Sequence, residues 1–216
     1  MVFKNHGYKK LNIVLNMLLC MNNNKIITCS GFSAIMAAWL TIVISIIINS
    51  WFRITRNALS DLGGGNMILN FHPAPTDPYI YNVGLMITGI LIALFSIGII
   101  INSRNKIENT GASFFIIGGL FLALIGIYHE GTYPHDFVSI WFFIIASISY
   151  ATIGTSFLFT QFKKTGVLLL IILIVSWAIF IAVPWQSVAE DEIFGIIIID
   201  VMVLLHIYTF SRRIEK

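Results

Sequence analysis

Two histidines and two acids stand close together in one short stretch of the sequence: His129, Glu130, His135 and Asp136. Imidazole and carboxylate groups often transfer protons near neutral pH, and both bind divalent metal ions. A carboxylate that orients the imidazole of His135 would let this histidine shuttle a proton, with Glu130 or Asp61 as the acid. The stretch is therefore typical of acid–base chemistry or of a ligand site.

A metal site is the alternative for the same residues, and His72 is a further side chain of the right type. The zinc-peptidase pattern needs two histidines four residues apart on one helix. His129 and His135 are instead six residues apart, with Pro134 between them. We therefore expect a hairpin of solvated or mutually paired charges. The sequence assigns no metal-binding residue and identifies no cofactor.

Two arginines, Arg53 and Arg56, follow the first apolar segment of the chain. Their spacing of three places them on one face of a helix. We expect this helix to continue from the apolar segment and to end at Gly63 in a left-handed cap. From such a helix the two arginines would reach lipid headgroups, pair with Asp61 or Glu130, or clamp a lipid phosphate.

The elements that must position these residues are helices in a membrane. Hydrophobic residues make up 57% of the 216-residue chain and charged residues 11%, and the mean hydropathy is +0.88. Soluble domains carry roughly 25% charged residues, so this chain has too few polar side chains to cover a water-exposed surface. A net charge of +3 is too small for a nucleic-acid-binding protein. Two cysteines exclude a disulfide scaffold.

Six apolar segments of the sequence are long enough to cross a bilayer, which takes about 20 residues in a helix. They lack the alternation of polar and apolar residues that marks a membrane β-barrel, and an open sheet would leave backbone groups unpaired in lipid. The predicted fold is all-α, a polytopic bundle of six transmembrane helices within residues 31–211. The predicted spans are 31–52, 79–102, 110–128, 137–162, 167–183 and 193–210.

The distribution of charge predicts the orientation of this bundle. Of the 13 lysines and arginines, all but Arg53 and Arg56 fall on one side of the membrane if there are six spans. Most of the 10 acids fall on the other side. Because basic loops stay in the cytoplasm, we expect both termini, including the tail 212–216, to be cytoplasmic in a multi-pass protein of the cell membrane. The polar loops then face outward.

The first 30 residues are expected to form a cytoplasmic segment with a short interfacial helix. Lys9 and Lys10 precede an apolar run, as in a signal peptide, but no small-residue cleavage site follows. A translation start at Met21 is an alternative. Cys20 and Cys29 would lie on the reducing side of the membrane, where reversible lipidation of Cys20 is left open.

One acid, Asp200, is expected within the sixth span. A carboxylate at this depth costs about 2.5–3.5 kcal/mol on insertion scales. We therefore expect Asp200 to face the interior of the bundle and to bond a hydroxyl group such as that of Ser147 or Ser149. His206 lies about 240° further round the helix, so it does not share a face with Asp200.

A string of residues in the first loop carries a family resemblance. Residues 57–63 read Asn-Ala-Leu-Ser-Asp-Leu-Gly and follow the tripeptide Ser-Trp-Phe at 50–52. This string resembles the signature of the prokaryotic membrane family called domain of unknown function 998. The likeness covers roughly residues 31–213 and includes Asn82 and the stretch 126–135.

This resemblance implies a bundle of six spans with an outward-facing polar patch, in a family without an established activity. The chain departs from the family's pattern at His129, where a proline is expected, and in a long insert over residues 65–78. The motif residues carried over from the family are Ser60, Asp61, Asn82, Glu130 and His135.

Three functions are compatible with the sequence, and whether the protein is an enzyme stays open. The first is an outward-facing site that binds or modifies a lipid or lipid-linked headgroup. The second is a small-solute or proton-coupled transporter, and the third is a non-catalytic subunit of a membrane complex. Membrane lipids are the expected partners, with no nucleic acid, and an oligomer or complex partner is left open. For the first function the candidate catalytic residues are Asp61, Glu130 and His135, and the candidate binding residues are Arg53, Arg56, Ser60, Asn82, His129 and Asp136.

Overall fold

The computed structural model describes residues 23–68 and 70–214. Six long helices account for most of this part of the chain, and none of the described residues lies in a β-strand. Each helix is long and apolar enough to cross a membrane. The prediction of an all-α, six-helix membrane protein is therefore confirmed. The helices are α1 (Asn23–Ile48), α2 (Pro78–Asn102), α3 (Lys106–Ile127), α4 (His135–Leu158), α5 (Lys163–Ala182) and α6 (Val188–Ile214).

Two further predictions fall at or beyond the edges of the described residues. The interfacial helix, the alternative start at Met21 and Cys20 lie in the segment 1–22, outside the described part. The start of α1 packs against the end of α6, because a Cβ added at Gly31 would lie 2.8 Å from the Ile207 side chain. Both ends of the described chain thus lie at one end of the bundle. That this end is cytoplasmic stays a prediction.

Small residues allow the helix backbones of α2, α3 and α4 to approach closely. A Cβ added at Gly89 on α2 would lie 2.3 Å from the carbonyl oxygen of Gly119 on α3. The hydroxyl of Ser149 on α4 donates to the carbonyl of Gly111 on α3 at 2.8 Å. Close backbone contact through small residues is how membrane helices associate without a hydrophobic driving force. Together with α1, which approaches α2 closely at Gly84 and Thr41, these helices form the tightly packed part of the bundle.

The fifth and sixth helices pack less closely. Helix α6 has few contacts with α4 and α5, and a cavity of about 730 Å³ separates these three helices. The end of α6 is fastened instead by a buried ion pair, in which the Arg213 guanidinium lies 2.7 Å from the Glu108 carboxylate on α3. The bundle is therefore closed at the end that carries the described termini and open between α4, α5 and α6.

The end of α1 differs from the predicted span, because α1 stops at Ile48 rather than at residue 52. The cause is Asn49, whose side-chain amide donates to the Ser45 carbonyl at 2.9 Å. Its side-chain oxygen accepts from the Thr76 backbone N–H at 2.7 Å. Asn49 thereby ties the end of α1 to the segment that leads back into α2. Hydropathy carries no information on such a contact.

The predicted helix over Arg53 and Arg56 is wrong. Both residues lie in a non-helical segment, and helical structure resumes only in a 3-10 helix, Leu59–Leu62. The predicted left-handed cap at Gly63 is also wrong, because its φ is −101°. The left-handed glycine is Gly65, with φ of 80°. The left-handed residue comes two positions later than the sequence predicts. The 3-10 helix before it is held in place by hydrogen bonds of Ser60 and Asp61.

Candidate functional site

The polar site lies at the end of the bundle where three chain segments meet: the loop between α1 and α2, the α3–α4 hairpin and the first turn of α6. The 3-10 helix supplies its centre. Leu59 and Leu62 are buried and anchor this short helix against the bundle, which leaves Ser60 and Asp61 between them. Asp61 accepts from the backbone N–H of Ala58 at 3.0 Å, so it also stabilises the start of the helix that carries it.

Asp61 lies against the ring of His72, and both side chains are buried. The His72 Nε2 atom lies 3.0 Å from the Asp61 Oδ1 atom, and both residues are about 95% buried. The indole of Trp51 stacks on the His72 ring with their centroids 4.6 Å apart. Asn57 donates to the second carboxylate oxygen of Asp61 at 3.1 Å. Burial and three partners, Ala58, Asn57 and His72, fix the Asp61 carboxylate in one position.

Glu130 and His135 form the second pair, and their Oε2 and Nε2 atoms lie 3.0 Å apart. The Ser60 hydroxyl donates to Glu130 Oε2 at 3.0 Å, and the Asn70 amide donates to Oε1 at 3.1 Å. These donors favour the ionised form. The hydrogen bond from His135 is the largest cause, and together they lower the pKa of Glu130 from 4.5 to about 2 against the opposing effect of burial.

The His135 ring is held from both sides. Its Nδ1 atom lies 2.8 Å from the carbonyl oxygen of Tyr128, so Nδ1 carries a proton and donates. Its Nε2 atom is thereby directed at Glu130, with the Ser139 hydroxyl 3.5 Å away. A carboxylate beside the distal nitrogen of a fixed imidazole is an arrangement that can transfer a proton to a bound molecule.

A cavity of about 730 Å³ opens from this pair. It follows α6 from Val188 to Met202, which is about 21 Å along the helix at 1.5 Å per residue. Its polar end includes Ser60, Asp61, Glu130, His135, Asp191 and Glu192. Its apolar part includes Phe143, Leu173, Trp177, Phe180, Ile198 and Met202. No lysine or arginine is among the described residues that line it.

The chain matches the family described as "Protein of unknown function (DUF998)" over residues 32–208. It belongs to the DUF998 family. No curated protein and no solved structure matches the chain. The family prediction made from residues 57–63 is thus confirmed. The matched residues extend from α1 to α6 and contain the whole polar site.

Of the motif residues carried over from DUF998, Asn82 lies apart from the paired charges. Its amide donates to the Gly63 carbonyl at 2.9 Å, so it fastens the first loop to the start of α2. A Cβ added at Gly63 would lie 2.2 Å from the Asn82 side-chain oxygen. Gly63 is required here for close approach and not for a positive φ. Asn82 positions the loop that carries Ser60 and Asp61.

The two arginines of this DUF998 chain do not join the site. Arg53 and Arg56 are exposed, and the Arg53 guanidinium donates to the carbonyls of Ser50 and Phe52, at 2.9 Å each. Neither arginine forms an ion pair with Asp61 or Glu130 within the described residues. The predicted pairing is absent because the segment that carries the arginines is not helical, and the Arg53 guanidinium binds carbonyls of its own segment instead.

The two hairpin residues predicted for binding, His129 and Asp136, lie in different positions relative to the cavity. Asp136 is exposed and lines the mouth of the cavity. His129 is also exposed, and its Nδ1 atom lies 2.9 Å from the backbone carbonyl of Glu130. His129 therefore contacts the backbone of the site rather than its side chains, and it does not line the cavity.

Three further residues, Asn70, His72 and Glu192, belong to this DUF998 site, and the sequence indicated only His72 among them, as a possible metal ligand. Asn70 and His72 come from the insert over residues 65–78, where only the residue type of His72 gave a signal. Glu192 accepts from the Leu59 backbone N–H at 2.7 Å and so caps the 3-10 helix from α6. Its position in the first turn of the sixth helix places an acid at the end of a span, but only the fold brings it to Leu59.

The predicted partner of Asp200 is wrong. Asp200 accepts from the indole N–H of Trp39 on α1 at 2.8 Å. Ser149 donates to Gly111 on α3, and Ser147 donates to Phe143 on its own helix. The indole is favoured because Trp39 lies on the helix next to α6 and reaches further than a hydroxyl. Asp200 lines a narrow interior cavity of about 80 Å³.

Proposed function

We propose that this protein binds a membrane lipid or a lipid-linked compound, with the polar group at Ser60, Asp61, Glu130 and His135. The hydrocarbon chain would lie between α4, α5 and α6. The observation that carries this proposal is the layout of the large cavity, which is polar at one end and apolar along the rest of its length. This division matches the two parts of an amphipathic ligand.

The size and the exposure of the cavity support the same proposal. A volume of about 730 Å³ lies within the range of about 300–1,000 Å³ typical of small-molecule sites. Three of its lining side chains, Ile140, Trp177 and Phe180, are also exposed on the outer surface of the bundle. In a membrane that surface faces lipid, so a hydrocarbon chain would reach the cavity sideways without crossing water.

Modification of the bound headgroup is the finer part of the proposal. The imidazole of His135 is fixed by the Tyr128 carbonyl and faces Glu130. A proton held between these two groups can be passed to a headgroup oxygen or nitrogen at the mouth of the cavity. Asp61 is bound to His72, so in this proposal it holds the loop and the ligand rather than the proton.

The test is to block the apolar part of the cavity and to measure bound lipid. Ile144 lines the cavity, whereas Ile148, one turn further along α4, is exposed and does not. Protein extracted in mild detergent is analysed by native mass spectrometry and by lipid extraction. We expect a stoichiometric lipid in the wild type and in Ile148→Trp, and its loss in Ile144→Trp. Absence of lipid from the wild type, or equal lipid in both variants, would overturn the proposal.

Transport is the second candidate, and one observation favours it. Glu192 and Asp200 lie on α6 and both line the narrow cavity of about 80 Å³ in the interior of the bundle. Carboxylates inside a membrane often mark a path for protons or ions. Proton or solute flux into reconstituted vesicles that is lost in Asp200→Asn would favour transport. Flux that is absent from the wild type would exclude it.

A further inference from the structure

Three metal-ligating side chains meet where the α3–α4 hairpin leads into α4. The carboxylate oxygens of Glu130 and Asp136 and a ring nitrogen of His135 lie within 4.8 Å of one another. Carboxylate and imidazole ligands lie about 2.0–2.2 Å from a bound Zn²⁺ ion. Small rotations of the exposed Asp136 side chain would therefore bring all three groups onto one ion.

The surroundings of His135 and Glu130 are those of metal ligands. Metal-binding histidines usually donate their second ring N–H to a carbonyl or a carboxylate, which fixes the ring. His135, which is 5% exposed, has its Nδ1 atom on the Tyr128 carbonyl at 2.8 Å. Glu130 is held in the same way by Ser60 and Asn70. Both side chains are thus oriented by partners outside the cluster.

The acidic side chains of the cavity also favour a bound cation. Five acids line it, and within the described residues no lysine or arginine does. Asp61 and Glu130 have histidine partners, whereas Asp136, Asp191 and Glu192 form no ion pair among the described residues. Ionised carboxylates such as Glu130 and Asp136 repel a phosphate or carboxylate headgroup and attract a cation.

We propose that Glu130, His135 and Asp136 bind a divalent transition-metal ion of the Zn²⁺ type at the mouth of the cavity. The ion would take the place of the proton on His135 Nε2, which would be released to solvent. One imidazole with two carboxylates favours Zn²⁺ over Mg²⁺ or Ca²⁺, which prefer oxygen ligands alone. Three protein ligands leave a fourth position open, on the side of the cavity.

The sequence favours paired charges over a metal because His129 and His135 cannot act together. In the folded protein a third ligand is available without His129. His129 is turned to the Glu130 backbone, and Asp136, which follows His135 directly, takes the third place. The metal site does not depend on whether a lipid binds. A bound metal ion would, however, place a positive charge at the mouth of the acidic cavity, and this charge would attract an anionic headgroup.

The experiment uses the full chain in detergent, treated with a chelator and then titrated with Zn²⁺ alone by calorimetry. We expect one ion per chain and binding that is at least about tenfold weaker in Asp136→Asn. Asp77→Asn is the matched control, since Asp77 is also exposed and precedes a helix, and we expect it to bind like the wild type. Unchanged affinity in Asp136→Asn, or no binding by the wild type, would overturn the proposal.

A second measurement separates ligation from effects on folding. Co²⁺ replaces Zn²⁺ in such sites, and its visible absorption reports the ligands. We expect the spectrum of the wild type to change in Asp136→Asn and to remain the same in Asp77→Asn, whereas identical spectra in all three would contradict the assignment. Mg²⁺ that binds as tightly as Zn²⁺ would also contradict it. Lipid bound to a protein that takes no Zn²⁺ would overturn this inference and leave the proposed function standing.

Discussion

At the scale of single residues, the site consists of side chains that hold each other in one state. Glu130 has five partners: His135, Ser60 and Asn70 contact its carboxylate, and Gly65 and His129 contact its backbone carbonyl at 3.2 and 2.9 Å. Such a network is rigid when every member is satisfied and loses more than one bond when a member is removed. The site is therefore preformed, and its charge state determines its stability.

The low pKa of Glu130 makes stability depend on pH. Its pKa of about 2 in the folded protein lies below the ordinary value of 4.5. The ionised carboxylate therefore stabilises the fold above pH 4.5, and this contribution is lost as the pH falls towards 2. In the presence of a chelator, we expect the unfolding temperature of the wild type to fall over this range. The same fall should be smaller in Glu130→Gln, and parallel curves would contradict the assignment of the pKa.

Asn82 supports a second prediction at this scale. Its hydrogen bond to the Gly63 carbonyl is buried, and a buried group that loses its partner costs about 1–3 kcal/mol. We expect Asn82→Ala to lower the unfolding temperature and to weaken ligand binding at the site through displacement of the first loop. Asn102→Ala is the control, because Asn102 bonds the Gly98 carbonyl within its own helix at the far end of α2. An equal effect of both changes would show that the loop anchor has no special role.

At the scale of elements, the residues that make up the helices could be predicted and their ends could not. Apolar runs of sufficient length determine a span because lipid satisfies no backbone group. The end of α1 depends on Asn49 and Thr76, which are 27 residues apart. The site itself was partly predictable, since Ser60, Asp61, Glu130 and His135 form one string and one hairpin. The contacts of Asn70 and His72 with the site could not be predicted, because the loop that carries them is shaped only by contacts with the rest of the fold.

The ion pair between α3 and α6 gives the prediction that belongs to this scale. Glu108 and Arg213 are both buried and 2.7 Å apart. Removing one partner of a buried pair costs about 3–5 kcal/mol, whereas replacing both is often neutral. We expect Glu108→Gln and Arg213→Met each to lower the unfolding temperature in detergent, and the double variant to regain most of the loss. Additive losses in the double variant would mean that the two side chains do not act as a pair.

At the scale of the whole molecule, the polar site lies at one end of the bundle and the described termini at the other. The charge distribution predicts that the site faces outward. Tyr133 lies at the tip of the α3–α4 hairpin and is fully exposed, and Lys164 lies at the opposite end, at the start of α5. These two positions report the orientation without touching the site.

Labelling of single cysteines in intact cells measures this orientation. In a background with Cys20 and Cys29 replaced by serine, we expect a membrane-impermeant thiol reagent to label Tyr133→Cys. We expect it to label Lys164→Cys only after the cells are opened. The reverse pattern would place the site in the cytoplasm and would change the class of headgroup available to it. Labelling of both positions in intact cells would contradict the six-span topology.

The contact between Gly63 and Asn82 has a consequence for the evolution of related chains. A Cβ at position 63 would overlap the Asn82 side-chain oxygen, at 2.2 Å, so a side chain at position 63 requires a different residue or rotamer at position 82. The two positions, 19 residues apart in the sequence, should be inherited as a unit. In other DUF998 chains we expect alanine at the first to occur together with a smaller residue at the second. Independent variation of the two would show that the loop and helix α2 meet differently in those proteins.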